Sequence, residues 1–85
     1  MPAPRLTLLG KPGCHLCDEA RRIVLEVAGE RGLELEELSI LDDEALLARY
    51  AEDIPVLLID GRVHTIWRVD PGRLRRALDT REATA

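Results

Sequence analysis

Apolar and polar positions along the chain switch several times between strand spacing and helix spacing. The apolar run Leu6–Leu9 is bounded by Arg5 and by a glycine–proline stretch, which is typical of a buried strand over 5–9. Helical spacing begins at Leu16, and Gly29 and Gly32 predict where that helix ends. Charged residues occupy one face of this helix, and the opposite face is apolar: Leu16, Ala20, Ile23, Val24 and Val27.

The middle of the chain predicts a second strand and a short helix. Leu38 and Ile40 alternate with polar neighbours, so we expect a strand over 35–40 whose start is only loosely defined. An acidic cap at Asp42 or Asp43 begins a short helix. Its apolar side chains lie on one side: Leu46, Leu47 and Tyr50.

The last third predicts a hairpin and a final helix. Val56–Ile59 is continuously apolar, as expected for a central strand, and Asp60-Gly61 is a strong turn signal that leads into a strand over 63–67. Asp70 and Pro71 supply an N-cap and a first helical residue. This last helix has three apolar positions: Leu74, Ala77 and Leu78. The residues that follow are small and polar, so we expect a frayed tail over 80–85.

The predicted order is β-α-β-α-β-β-α in a single domain over 1–85. A helical crossover makes the first two strands parallel, and a tight turn makes the last two antiparallel. We therefore expect an α/β fold in which helices flank a four-stranded mixed sheet.

Charge and hydropathy narrow the choice of partners. The formal net charge is −4 with acidic and basic residues interspersed, so no basic stripe indicates a nucleic-acid partner. The segment before the first strand is too short for a secretory signal, and no apolar stretch approaches the roughly 20 residues that span a bilayer. We expect a cytoplasmic monomer without a membrane partner, in a compartment that keeps thiols mostly reduced.

The two cysteines, Cys14 and Cys17, are the candidate functional centre. A disulfide across so short a loop removes little entropy from the unfolded chain, so the pair predicts reversible redox chemistry rather than a structural crosslink. Cys14 lies at a predicted helix start, where backbone N–H groups and the helix dipole favour a thiolate. Lys11 adds a cation nearby, and the opposing charge of Asp18 is expected to extend into water, where it is screened. Two unreactive, packed thiols are the alternative.

Cys17 belongs to the apolar stripe of the helix and is expected to be the more buried thiol. In an exchange cycle Cys14 attacks a substrate disulfide, and Cys17 then resolves the mixed disulfide. A protonated His15 would stabilise the Cys14 thiolate and make the pair more oxidising. A neutral, solvated His15 is equally compatible with the sequence.

The chain resembles the glutaredoxin-like proteins of the thioredoxin superfamily over residues 5–79. Three segments carry the resemblance: Lys11-Pro12-Gly13-Cys14-His15-Leu16-Cys17, Ile54-Pro55-Val56 and Asp60-Gly61. The resemblance implies a thioredoxin-like, glutaredoxin-type fold. It also implies that the protein is a thiol–disulfide oxidoreductase that reduces disulfides in proteins or small molecules.

The resemblance also implies roles for residues outside the cysteine pair. Pro55 would be a cis-proline facing the cysteines, with the Ile54 backbone pairing with the extended chain of the substrate. A trans-proline that begins a strand is the alternative. Candidate glutathione contacts are Lys11, Ile54 and Arg68. No bound cofactor is expected, and the glycine pair that helps hold glutathione in glutaredoxins is missing. The electron source stays open between glutathione and a thioredoxin-reductase-type reductant.

Two other functional classes remain. A thioredoxin-fold adaptor or redox sensor would carry the same cysteine pair without turnover. C-x-x-C is also half a zinc site to which His15 or His64 would add ligands, but the missing second cysteine pair counts against it, and we expect no metal site. Trp67 and Tyr50 are predicted to be mainly structural, and His64 to be an exposed hairpin residue.

Overall fold

The computed structural model describes residues 3–84. The elements are β1 (Leu6–Gly10), α1 (His15–Glu30), β2 (Leu35–Ser39), a 3₁₀ turn (Ile40–Asp42), α2 (Glu44–Tyr50), β3 (Val56–Ile59), β4 (Arg62–Ile66) and α3 (Pro71–Thr84). The strand order in the sheet is β2-β1-β3-β4. β1 pairs parallel with β2 and antiparallel with β3, and β3 pairs antiparallel with β4. The predicted element order and the mixed four-stranded sheet are confirmed.

β1 is a central strand, and its alternating side chains supply both faces of the sheet. Leu6 and Leu8 belong to a cluster of buried residues, here called the first cluster, on the face of the sheet that α1 and α3 cover. The apolar stripe of α1 meets this face through Ala20, Val24 and Val27, because helical spacing places these side chains on one side of the helix. Leu9 points to the opposite face and belongs to a second cluster.

The second cluster positions the cysteines. Its buried members are Leu9, Cys17, Ile40, Ile54 and Val56. Leu46 and Tyr50 of α2 pack against this cluster, although no residue of α2 is itself buried. Cys14 packs against the same cluster, so the two cysteines lie at an edge of the hydrophobic core rather than in a surface loop.

β2 begins at the predicted residue but ends one residue early, and the side chains that it buries differ from those predicted. Leu38 is 41% exposed, and Ile40 is buried in the 3₁₀ turn after the strand rather than in the strand itself. β2 is an edge strand, and the residues that pack against the first cluster are Leu33 and Leu35. The strand ends at Ser39, whose hydroxyl accepts a hydrogen bond from the Leu41 N–H at 3.2 Å and so begins the turn.

The Asp60-Gly61 turn is confirmed, and it is connected to the end of α3. Asp60 and Gly61 have φ angles of 53° and 81°, in the left-handed region that a tight hairpin requires. Arg81 Nε donates to Asp60 Oδ2 at 2.6 Å. This contact holds the last part of α3 against the hairpin, and the backbone stays helical to Thr84, where the sequence predicted a frayed tail over 80–85. Residue 85 lies outside the described residues.

Within residues 3–84, no helix has the length and apolar character that crossing a bilayer requires.

Candidate redox site

Cys14 is the N-cap residue of α1. Its backbone is extended, with φ −96° and ψ 114°, and its Sγ accepts a hydrogen bond from the Cys17 N–H at 3.2 Å. Its carbonyl accepts the first helical bond, from the Asp18 N–H at 3.1 Å. The sulfur of this half-buried cysteine therefore lies where the N–H groups of the first turn and the helix dipole stabilise negative charge.

The turn between β1 and α1 brings Cys14 to this position. Gly13 has a φ of +78°, a conformation that glycine adopts without steric cost and that most residues avoid. The chain can therefore reverse between the end of β1 and the start of α1 within a few residues. The Lys11-Pro12-Gly13 segment thus makes the turn that places Cys14, and it also carries a cation.

Cys17 is buried one turn further along α1, with only 7% of its surface exposed. The pKa of this thiol is raised from its ordinary 9.0 to about 11, first by burial and then by the hydrogen bond with Cys14, and a hydrogen bond from the Lys11 backbone partly offsets these two effects. Cys17 is therefore a protonated thiol at neutral pH, beside the less buried Cys14.

The Ile54–Pro55 peptide bond is cis, as the resemblance implied. Ile54 is 8% exposed, and it packs in the second cluster together with Cys17. Cys14 lies against that cluster as well. The structure thus brings together four of the predicted site residues: Cys14, Cys17, Ile54 and Pro55.

Some of the charged residues around the cysteines form ion pairs with one another. Lys11 is exposed and lines a shallow cavity of about 420 Å³ beside Cys17. Asp18 points outward as expected, and it forms an ion pair with Arg21 at 3.0 Å. Arg21 also reaches Glu37 at 3.3 Å. This pairing reduces the repulsion between Asp18 and Cys14 beyond the screening by water alone. His15 is exposed at the first position of α1.

Arg68 lies in the loop between β4 and α3, away from the first turn of α1 in the sequence. Its backbone N–H donates to the Ile66 carbonyl at 2.8 Å, and its carbonyl accepts from Thr65 Oγ1 at 3.0 Å. The side chain is exposed. Its role as a glutathione contact stays a prediction.

Trp67 and Tyr50 make structural contacts of different kinds: Tyr50 packs against the second cluster, whereas Trp67 is 54% exposed and donates its Nε1–H to the Glu52 carbonyl. The expectation for His64 was wrong. His64 is half-buried rather than exposed: it lies in a β-bulge of β4, and its backbone carbonyl accepts a hydrogen bond from Arg73 of α3 at 3.4 Å. Burial, and to a lesser degree the nearby Arg73 charge, lower the pKa of this histidine.

Gly10 is a site residue that sequence reasoning missed. It ends β1 directly behind the Cys17 side chain, where a larger residue would meet the sulfur. The sequence signal was present, since a glycine that ends a strand before a helix often marks a close approach of the two. The fold was needed to identify Cys17 as the residue that Gly10 approaches.

No group of three or more histidine, cysteine, aspartate or glutamate side chains suited to a metal ion occurs within the described part of the chain.

The chain is similar to proteins of one family. Residues 5–79 match the family model described as "Glutaredoxin-like domain (DUF836)". Uncharacterized proteins of Mycobacterium bovis and Mycobacterium tuberculosis are 31% identical over 80 residues, which cover 88% of this chain and 82% of theirs.

Solved structures show the same fold. A structural genomics target protein from X. campestris has a TM-score of 0.73 and 39% identity, and the match covers 88% of this chain and 96% of that one. A mutant thioredoxin from Halobacterium salinarum has a TM-score of 0.68 at 17% identity, and the match covers 91% of this chain and 73% of that one. The second likeness shows the thioredoxin fold alone. The chain belongs to the glutaredoxin-like (DUF836) domain family.

Proposed function

We propose that this protein is a thiol–disulfide oxidoreductase that uses Cys14 and Cys17 to reduce disulfides in proteins or small molecules. The observation that carries the proposal is the asymmetry of the pair. Cys14 is a half-buried cysteine at a helix N-terminus, and Cys17 is a buried thiol whose pKa is raised to about 11. Nucleophilic attack requires an accessible thiolate, and resolution requires a second thiol held close by.

The reaction proceeds in two exchanges. The Cys14 thiolate attacks one sulfur of the substrate disulfide, the substrate S–S bond breaks, and the displaced thiolate takes up a proton. Cys17 then loses its proton and attacks Cys14 Sγ, which forms the Cys14–Cys17 disulfide and releases the second substrate thiol. Two electrons pass from the dithiol to the substrate disulfide.

The burial of Cys17 has a consequence for the second exchange. A thiol whose pKa is near 11 is a poor nucleophile at neutral pH until it is deprotonated. The contacts that raise the pKa of Cys17 include Cys14 itself. A mixed disulfide removes the charge of the Cys14 thiolate and with it this contribution. Formation of the mixed disulfide therefore makes deprotonation of Cys17 easier when it is needed.

The remaining site residues act on the substrate or on the reductant. The backbone of Ile54, before cis-Pro55, would pair with the extended chain of the substrate, and Lys11 and His15 would tune the charge around Cys14. The oxidised pair must be reduced again by glutathione or by a thioredoxin-reductase-type enzyme. Lys11, Ile54 and Arg68 are the candidate contacts for glutathione. Such a cycle suits the reducing conditions of the cytoplasm.

The test is a coupled disulfide-reduction assay with two electron sources in parallel. One arm uses glutathione, glutathione reductase and NADPH, and the other uses thioredoxin reductase and NADPH, each with hydroxyethyl disulfide and with insulin as substrates. We expect NADPH consumption that depends on the protein in at least one arm. Cys14→Ser should abolish it, and Cys17→Ser should accumulate a mixed disulfide visible by mass spectrometry. A redox-active pair that supports no turnover in either arm would instead indicate an adaptor or sensor.

A further inference from the structure

Trp67 is a large apolar side chain on the surface near the Ile54–Pro55 segment. It is 54% exposed, although tryptophan is usually well buried. It directly follows Ile66, and Ile66 packs against the cluster that contains Ile54 and borders Cys14. The backbone of Trp67 therefore lies beside the cluster that Cys14 borders.

The backbone of Trp67 has an unusual conformation. Its φ is +67°, in the left-handed region that bulky residues rarely adopt and that glycine adopts at no steric cost. A tryptophan at this position carries a conformational cost that glycine would avoid. Such strain concentrates at functional positions, so it points to a use for the side chain.

Two hydrogen bonds hold Trp67 against the segment that precedes β3. Its backbone N–H donates to the Pro55 carbonyl at 2.8 Å, and its Nε1–H donates to the Glu52 carbonyl at 3.1 Å. The polar edge of the indole is thereby satisfied, and its orientation is set before any ligand arrives. A rigid aromatic face offers contact area at a low entropic cost.

We propose that Trp67 selects polypeptide disulfides that carry an apolar or aromatic side chain next to the reacting cysteine. The inference rests on the function proposed above. A substrate chain that pairs with the Ile54 backbone passes beside Pro55, whose carbonyl is bonded to Trp67. A side chain next to the substrate cysteine therefore comes within reach of the indole. Glutathione, which has glycine and a γ-glutamyl group beside its cysteine, offers no such side chain.

The experiment measures single-turnover rate constants for the pre-reduced protein by quenched flow. Two peptide disulfides that differ only in having phenylalanine or glycine beside the cysteine are compared with hydroxyethyl disulfide. We expect the phenylalanine peptide to be reduced about fivefold faster than the glycine peptide, the size of one aromatic contact. Trp67→Gly suits the backbone angle and deletes the indole, so it should bring the two rates together and leave hydroxyethyl disulfide unaffected.

Two further variants keep the test specific. Leu25→Ala removes a similarly exposed apolar side chain from the middle of α1 (Leu25 is 49% exposed) and should retain the preference. Trp67→Phe keeps an aromatic face without the Nε1–H donor and should retain most of it. Equal peptide rates in the wild type, a preference that survives Trp67→Gly, or its complete loss in Leu25→Ala or Trp67→Phe would each overturn the inference. A wild-type protein that reduces none of the three disulfides would overturn the proposed function instead.

Discussion

A Cβ atom on Gly10 would lie 3.0 Å from the Sγ of Cys17 and 3.2 Å from its Cβ. The end of β1 and the first turn of α1 therefore approach each other as closely as the absence of a side chain allows. The buried position of Cys17, and with it the raised pKa of its thiol, depends on this contact between two segments.

Gly10→Ala should displace Cys17 and lower the free energy of unfolding by about 1–3 kcal/mol, the usual range for overpacking a close-packed site. Displacement of the sulfur should also slow closure of the Cys14–Cys17 disulfide. Denaturant unfolding measures the first effect, and the lifetime of a mixed disulfide with a small substrate measures the second.

Gly29→Ala is the matched control, because Gly29 is exposed in α1 and has no atom within 4 Å of an added Cβ. Alanine is the better helix former, so this variant should be neutral or more stable by up to about 1 kcal/mol. An unchanged denaturation midpoint for Gly10→Ala would show that the site relaxes around the methyl group.

Alkaline pH should destabilise the dithiol form through Cys17. The folded-state pKa is about 11 against an ordinary 9.0, so above pH 9 the unfolded chain loses the thiol proton while the folded protein keeps it. The stabilisation is therefore complete below pH 9 and is lost as the pH rises toward 11. The full loss should be at most about 3 kcal/mol, since the shift spans two pKa units and each unit corresponds to about 1.4 kcal/mol.

The measurement is the unfolding free energy in the presence of reductant from pH 8 to 11. Cys17→Ala lacks the titrating group and retains the other groups that titrate at alkaline pH, so its decline should be smaller. Parallel curves for the two proteins would contradict a buried, protonated Cys17.

Lys11→Gln should slow alkylation of Cys14 by iodoacetamide at pH 7 by about twofold, as expected for an exposed charge pair. Asp18→Asn should change the rate in the opposite direction and by less, because Arg21 already pairs with Asp18. Both effects should shrink in 1 M salt, where the screening length falls to about 3 Å.

Arg22→Gln is the charge-matched control, since Arg22 is exposed on the outer face of α1. It should leave the alkylation rate unchanged. An equal decrease in Arg22→Gln and Lys11→Gln would assign the effect to net charge rather than to the position of Lys11.

Asp60→Asn should make the protein less sensitive to acid. The Arg5 N–H and the Arg81 guanidinium both contact this carboxylate and hold its pKa below the ordinary 3.8. The stabilisation from these contacts is present above pH 3.8 and is lost as the pH falls through the lowered pKa. The wild type should thus lose more stability than Asp60→Asn on acidification, measured by unfolding from pH 5 to 2. Asp42→Asn, also at an exposed aspartate, should keep the wild-type acid response.

Local patterns predicted most of the fold. The helical stripe after Leu16, the cap and proline at Asp70-Pro71 and the Asp60-Gly61 turn each depend on neighbouring residues, and all three are observed. The cis bond before Pro55 followed from the resemblance rather than from the local pattern. Errors arose where burial depends on the sheet order: Leu38 lies on an edge strand, and Ile40 is buried only because the chain turns back over the second cluster.

The amino-acid pattern is enough to place two thiols at the start of a helix that follows a strand, because periodicity, capping and turn residues act within a few positions of one another. The difference between the two thiols arises from the folded chain. Gly10 lies against Cys17, Ile54 packs in the same cluster, and Trp67 is held beside Pro55 by residues that are distant in sequence. Burial and hydrogen-bond partners depend on which segments meet across the sheet, and no local pattern encodes that.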